Sequence, residues 1–248
     1  MPFKDHFSTH AAAYRASRPT YPAALYEWLS QQAPGRALAW DAGCGNGQAS
    51  VALAARFERV IATEASGAQI AHAIPHPRVE YRVEPAERCS LPDASADLIA
   101  VAQALHWFDL PAFYAQVRRV ARPGAVLAAW CYGLCAVRPE VDRAVARLYQ
   151  DLVGAYWPPE RVHLENGYAD LEFPFAAPTA PPPEFEMVER WSLPQFCAYL
   201  RTWSAVSRYR IARRADPVAR VEPELRAAWG AEERTVRWPL RLRVGRVG

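Results

Sequence analysis

The stretch Trp40-Asp-Ala-Gly-Cys-Gly-Asn-Gly-Gln48 constrains this chain more than any other. Three glycines alternate, at 43, 45 and 47, directly behind the acid Asp41. The apolar run Ala37–Trp40 precedes them and the helical pattern Ser50–Phe57 follows. That order reads as strand, tight glycine turn and helix, the opening unit of a nucleotide-binding α/β sheet. Alternating glycines permit positive φ and close approach of backbone to a ligand. Asp41 puts negative charge at the strand end, which repels a pyrophosphate and attracts an ammonium. The loop therefore suits a ligand with a nucleoside at one end and a cationic amino group at the other. A phosphate-binding loop is excluded, because no Gly-Lys-Ser/Thr follows. Counted from Gly43 or Gly45, the third glycine of a dinucleotide fingerprint falls on Gln48 or Ser50.

A chain of 248 residues, 51% hydrophobic and 22% charged, suffices for one large α/β domain. A net charge of +3 gives no argument for nucleic acid. The late basic stretches, Arg208–Arg214 and Arg237–Arg246, read as solvated faces. The five cysteines (44, 89, 131, 135 and 197) are scattered, without metal-ligand or disulfide spacing. No signal-like or membrane-spanning run is visible. The expectation is a soluble cytoplasmic protein without a metal site, monomeric or homodimeric, acting on a small molecule.

Strands are expected at 37–41, 59–63, 79–83, 97–102, 125–130, 185–193 and 236–247. Helices are expected at 21–32, 50–57, 65–74, 110–120, 139–156, 195–214 and 217–229. Regular alternation to about residue 132 argues a parallel sheet. Glu64 closes the second strand 23 positions after Asp41, where a carboxylate grips a ribose diol. The carboxyl ends of strands face the ligand crevice in such sheets, which places Gln103, His106 and Trp107 there.

Asp41-Ala-Gly-Cys-Gly-Asn-Gly47 resembles motif I of the class I S-adenosylmethionine-dependent methyltransferases. Tyr14-x-x-x-Arg18-Pro-x-Tyr21-Pro resembles their N-terminal cap, and Arg122-Pro-Gly124 before the fifth strand also matches. Ala102–Asp109, Tyr156–Arg161, Asn166–Tyr168, Phe173–Phe175 and Thr202–Ala205 look like the type 11 subgroup similar to trans-aconitate methyltransferase. The resemblance implies a Rossmann-like α/β domain spanning 1–248. It has a mostly parallel seven-stranded sheet with helices on both faces, a helical cap (1–33), a cofactor-binding core (34–132) and substrate-side insertions after strand 5 (133–248).

The resemblance also implies S-adenosyl-L-methionine as cofactor. Tyr14, Arg18, Asp41, Gly43, Cys44, Gly45, Gly47, Glu64, Ala65, Ala86, Glu87 and Gln103 would contact it. Arg18 suits its carboxylate, as an arginine fork pairs in bidentate fashion. Pro85-Ala86 replaces the Asp-Ala of many relatives at the adenine edge, leaving Glu87 as the nearest acid. His106 is the candidate catalytic base or substrate-orienting residue. Trp107, Trp157, Arg161, Tyr168 and Trp203, with Arg208, would build an aromatic, anion-binding chamber. The expected activity is methyl transfer to a small molecule, such as a carboxylate oxygen. A non-catalytic cofactor-binding protein, a methyltransferase of RNA or protein, and a nucleotide-dependent oxidoreductase are the alternatives.

Overall fold

The computed structural model describes residues 19–248. The expected segment Phe3–Arg15, with Tyr14 and Arg18, lies outside the described residues. The elements run α1 (Ala23–Gln32), β1 (Leu38–Ala42), α2 (Gln48–Ala54), β2 (Arg59–Glu64), α3 (Gly67–Ile70), β3 (Val79–Val83) and β4 (Ala96–Ala102). They continue with α4 (Leu110–Val120), β5 (Ala121–Tyr132), α5 (Pro139–Arg147), α6 (Arg161–Glu165) and β6 (Glu186–Trp191). Helices α7 (Leu193–Arg201), α8 (Ser204–Arg213) and α9 (Pro217–Trp229) lead into β7 (Arg234–Arg246). The seven strands form one sheet in the order β3-β2-β1-β4-β5-β7-β6. Neighbours from β3 to β5 pair parallel, while β7 runs antiparallel to both β5 and β6. This is the expected mostly parallel, Rossmann-like sheet.

Strand alternation divides the core. Ala39, Leu98, Ala100, Val126, Ala128 and Trp130 face one side, with buried residues of α1, α2, α5 and α7–α9. Their neighbours Leu38, Trp40, Ile99, Val101, Leu127 and Ala129 face the other, against Phe113, Val117 and Val120 of α4 and Leu164 of α6. The central strands carry apolar residues on both faces because helices cover both.

Three expected helices differ from the structure. The span 195–214 is two helices, since Thr202 Oγ1 caps the Tyr199 carbonyl at 2.6 Å and Trp203 turns extended. The span 139–156 narrows to α5, followed by a wide turn over Leu148–Leu152 and a 3₁₀ turn over Gly154–Tyr156. The span 65–74 shrinks to α3, because Ile74 N–H leaves the helix for the Asn46 carbonyl at 3.0 Å. Helix α6 had no counterpart in the sequence reading.

Candidate functional site

The carboxyl ends of β1, β2, β4 and β5 open into a cavity of about 940 Å³. That is at the upper end of the ~300–1,000 Å³ usual for small-molecule sites, with room for two ligands. Gly43, Cys44, Gly45, Glu64, Ala65, Ala86, Glu87 and Gln103 line one part; His106, Trp107, Trp157, Arg161 and Trp203 line another.

The glycine loop takes positive φ at all three glycines: 70° at Gly43, 56° at Gly45 and 88° at Gly47. Each does a different job. A Cβ on Gly43 would meet Ala104 and Phe108 at 2.8 and 2.9 Å, so this glycine lets the loop lie against the β4 turn. A Cβ on Gly47 would collide with Tyr81 Oη; Gly47 is a packing glycine and does not line the cavity. A Cβ on Gly45 would meet nothing within 4 Å, which leaves its face open for a ligand.

The loop's amides turn inward. Gly43 and Cys44 N–H donate to the Thr63 carbonyl at 2.9 and 3.0 Å, and Gly45 N–H donates to Glu64 Oε2 at 3.1 Å. With these donors occupied, the loop is no anion nest. Glu64 also accepts Ser66 N–H at 2.9 Å through Oε1. Two backbone bonds fix the carboxylate plane, and a carboxylate at this strand end can accept both hydrogens of a diol.

Asp41 departs from the expectation that it meets a ligand's ammonium on the cavity wall. Alternation along β1 sends it to the α2 side, where it is fully buried and accepts Ser50 Oγ–H at 2.6 Å. Its Oδ1 has no hydrogen-bond partner among the described residues. Burial raises its pKa to about 7, outweighing the Ser50 bond that lowers it, and the nearby Glu64 charge adds a lesser rise. A buried carboxylate short of one partner, under a loop with one open face, fits a cationic ligand above it.

Gln103 lines the cavity, but its side chain is committed elsewhere. Its amide donates to the Tyr132 carbonyl at 3.2 Å and accepts Tyr132 N–H at 2.9 Å, clamping β4 to β5. Its φ of 59° is strained for a residue with a Cβ. Glu87 Oε1 accepts Asp109 N–H at 2.9 Å, ahead of α4, so the side chain offered for the adenine edge is partly engaged.

The second part of the cavity rests on side-chain contacts. Arg161 stacks over Trp157 at 4.6 Å and Tyr149 at 5.3 Å, and its Nε donates to Tyr149 Oη at 2.8 Å. The Tyr149 hydroxyl donates in turn to Glu165. Trp203 closes the aromatic group, 5.7 Å from Trp157 and 5.9 Å from Tyr149. Sequence reasoning missed Tyr149 and Glu165: Tyr149 lies 12 positions before Arg161, across two turns, whereas Glu165 stands at helical i,i+4 spacing from Arg161 on α6, a signal that could have found it.

His106 is buried in the 3₁₀ turn Leu105–Trp107 and stacks near Trp107, with ring centroids 4.6 Å apart. Burial, then the Arg161 charge and His163, push its pKa down to about 3. It is neutral at physiological pH and a poor base. Tyr168, expected as a chamber wall, lies behind His106, fully buried and off the cavity surface. Arg208 is also off the wall, donating to the Tyr156 carbonyl at 3.2 Å.

The methyltransferase domain family matches residues 40–129. The chain is 35% identical over 231 residues to a Dictyostelium discoideum protein provisionally named a methyltransferase, covering 92% of this chain and 87% of that one. It is 54% identical to a solved structure from Anaeromyxobacter dehalogenans, provisionally a type II methyltransferase, with a TM-score of 0.87 and coverage of 93% and 98%. Over 104 residues it is 35% identical to a Mycolicibacterium smegmatis protein, covering 41% of this chain and 40% of that one. The provisional name of that protein specifies S-adenosylmethionine.

Proposed function

The chain belongs to the class I S-adenosylmethionine-dependent methyltransferases, and from that premise we propose that it methylates a carboxylate oxygen of a small organic acid. The observation that carries the reading is Arg161. It lines the cavity stacked on its fellow lining residue Trp157, while Tyr149, off the cavity wall, holds it by a hydrogen bond. Only Nε is engaged by a hydrogen bond among the described residues, which leaves the terminal nitrogens for a bidentate pair with a carboxylate.

S-adenosylmethionine supplies an electrophilic methyl group on a cationic sulfur. Glu64 and the open face of Gly45 would hold its nucleoside end, and the Asp41 charge favours its ammonium end. The chain's own contribution is then alignment and exclusion of water. A carboxylate is nucleophilic without losing a proton, whereas an alcohol or ammonium must first lose one. His106, the best-placed residue type for that task, is held neutral with its pKa at about 3 and takes protons poorly. The site therefore matches an acceptor that arrives already ionised. Esterification also cancels the charge that Arg161 recognises, which weakens the product and favours its release.

The test is a panel of small organic acids beside their amides and alcohols, incubated with cofactor and purified protein, with products read by mass spectrometry. The expected result is a methylated acid whose methyl group is released as methanol by mild base, as an ester requires. Turnover confined to amines or alcohols, or a base-stable methyl product, contradicts the reading.

A further inference from the structure

His106 and Tyr168 are 62 positions apart in sequence, yet His106 Nδ1 lies 3.0 Å from Tyr168 Oη. Several contacts hold the phenol in place. Tyr168 follows Gly167, and both take positive φ, 63° and 59°. Tyr168 N–H donates to the His163 carbonyl at 2.8 Å, and Arg243 Nη1 donates to the Tyr168 carbonyl at 2.5 Å. A left-handed turn in a residue with a Cβ is costly, so this placement is imposed by its surroundings.

The direction of the His106–Tyr168 bond follows from what each group needs. Tyr168 is fully buried, and burial keeps its phenol protonated by raising its pKa well above the ordinary value. A buried hydroxyl proton without an acceptor is costly and rare. Among the described residues, His106 Nδ1 is the partner of the phenol oxygen that is able to accept, since the Leu105 and His106 backbone N–H groups that also face it can only donate. Were Nδ1 itself protonated, two hydrogens would face each other or the phenol proton would be stranded. Nδ1 therefore accepts, and the single ring hydrogen of the neutral imidazole sits on Nε2. His106 lines the cavity, and Nε2 is not among the buried atoms lacking a partner.

We infer that Tyr168 is a positioning residue that locks His106 as an Nε2–H donor aimed into the acceptor part of the cavity. The donor stands beside the Arg161 cation, so the two present one neutral and one charged donor to the same ligand. What that donor meets rests on the acceptor proposed above; the lock itself does not. Arg161 and His163 face the ring from α6, Tyr168 faces it from the loop, and Glu160 lines the same cavity. The two basic groups oppose protonation of the ring and reinforce the lock.

Side-chain nitrogen NMR on the ¹⁵N-histidine-labelled full-length chain tests this directly. In the wild type the proton should reside on His106 Nε2 and the bare Nδ1 should show a hydrogen-bonded shift, unchanged from about pH 5.5 to 8.5. Tyr168→Phe should move Nδ1 to the shift of an unbonded nitrogen while S-adenosylhomocysteine affinity stays within about twofold. Should that variant not fold, 3-fluorotyrosine in the wild type, a more acidic phenol, should move Nδ1 the opposite way. A proton on Nδ1, a His106 that titrates in this range, or an Nδ1 shift indifferent to Tyr168 overturns the inference. With an acid that the wild type turns over, Tyr168→Phe should raise its KM about tenfold, with a smaller change in kcat. If the wild type methylates no acid, the acceptor reading fails, while the nitrogen spectrum still decides the lock.

Discussion

The two parts of the cavity are built by different means. The cofactor part, from Gly43 to Gln103, is an affair of backbone: glycine φ angles, amides turned onto Thr63 and Glu64, and strand ends held in register. The acceptor part, from His106 to Trp203, is made of side chains held by other side chains, with Tyr149 behind Arg161 and Tyr168 behind His106. Backbone scaffolding fixes one ligand in one pose. Side-chain scaffolding can change its ligand by substitution without disturbing the sheet. A fold that keeps one cofactor and varies its acceptor benefits from placing them this way.

The division implies that each part can be damaged without the other, and the largest separable effect should come from Glu64→Gln. The amide turns one acceptor oxygen into a donor facing a backbone N–H and removes the charge that strengthens the remaining bonds. Two charge-assisted bonds at about 1.5–3 kcal/mol each imply a loss of cofactor affinity of about 100-fold or more. Calorimetry with S-adenosylhomocysteine measures it, and a loss below about fivefold would remove Glu64 from the cofactor site.

Arg161→Lys probes the other part. Lysine keeps the charge but loses the planar fork and the stacking on Trp157. Acceptor KM should rise about 10- to 50-fold, with cofactor affinity unchanged. Steady-state kinetics on an acid from the panel reads the first and calorimetry the second. An unaltered KM would mean that Arg161 does not touch the acceptor.

Asp41 blurs the boundary, since it acts on the cofactor part from beneath. With its folded pKa near 7, it is largely protonated below that pH in the free protein, and a cationic ligand favours the ionised form. Cofactor affinity should therefore fall as pH drops below about 7, by at most tenfold per pH unit. The same shift acts on stability in the opposite sense. The raised carboxyl makes the cofactor-free fold most stable below about pH 4, with that contribution lost as pH rises through 7. Asp41→Asn should flatten both profiles. A wild-type affinity independent of pH from 5 to 8 would show that the Asp41 charge is not felt at the site.

The smallest expected effect is Tyr149→Phe, which keeps the ring under Arg161 and removes the hydroxyl linking it to Glu165. Acceptor KM should rise about three- to tenfold, less than the charge-assisted bonds of Tyr149 are worth, because Tyr149 acts on the acceptor only through Arg161. A change as large as that of Arg161→Lys would place Tyr149 on the acceptor itself.

The same division explains what the sequence could reveal. The glycine loop and Glu64 are legible because their jobs depend on local chemistry: positive φ needs glycine, and a diol needs an acid at a strand end. The direction of Asp41 is recoverable from strand alternation, since Ala39 and Asp41 share a face, whereas its charge alone points to the ligand. The break at Thr202 and Trp203 was hidden, because apolar residues at 196, 199, 203 and 206 keep helical spacing straight through it. Tyr168 was read as a cavity wall from its residue type, but its place behind His106 is set by a left-handed turn and by Arg243, 75 positions away. Tyr149 gave no local signal, because contacts between side chains across turns leave no periodic trace; Glu165 did carry one, its i,i+4 spacing from Arg161, which depends on a helix that the sequence pattern does not announce.

The most direct test of the separation is one calorimetric series, S-adenosylhomocysteine titrated into wild type, Glu64→Gln and Arg161→Lys under one buffer. The account predicts a loss of about 100-fold in Glu64→Gln and a change within about twofold in Arg161→Lys. Equal losses in both variants, or a loss in Arg161→Lys alone, would contradict the division into a backbone-built cofactor site and a side-chain-built acceptor site.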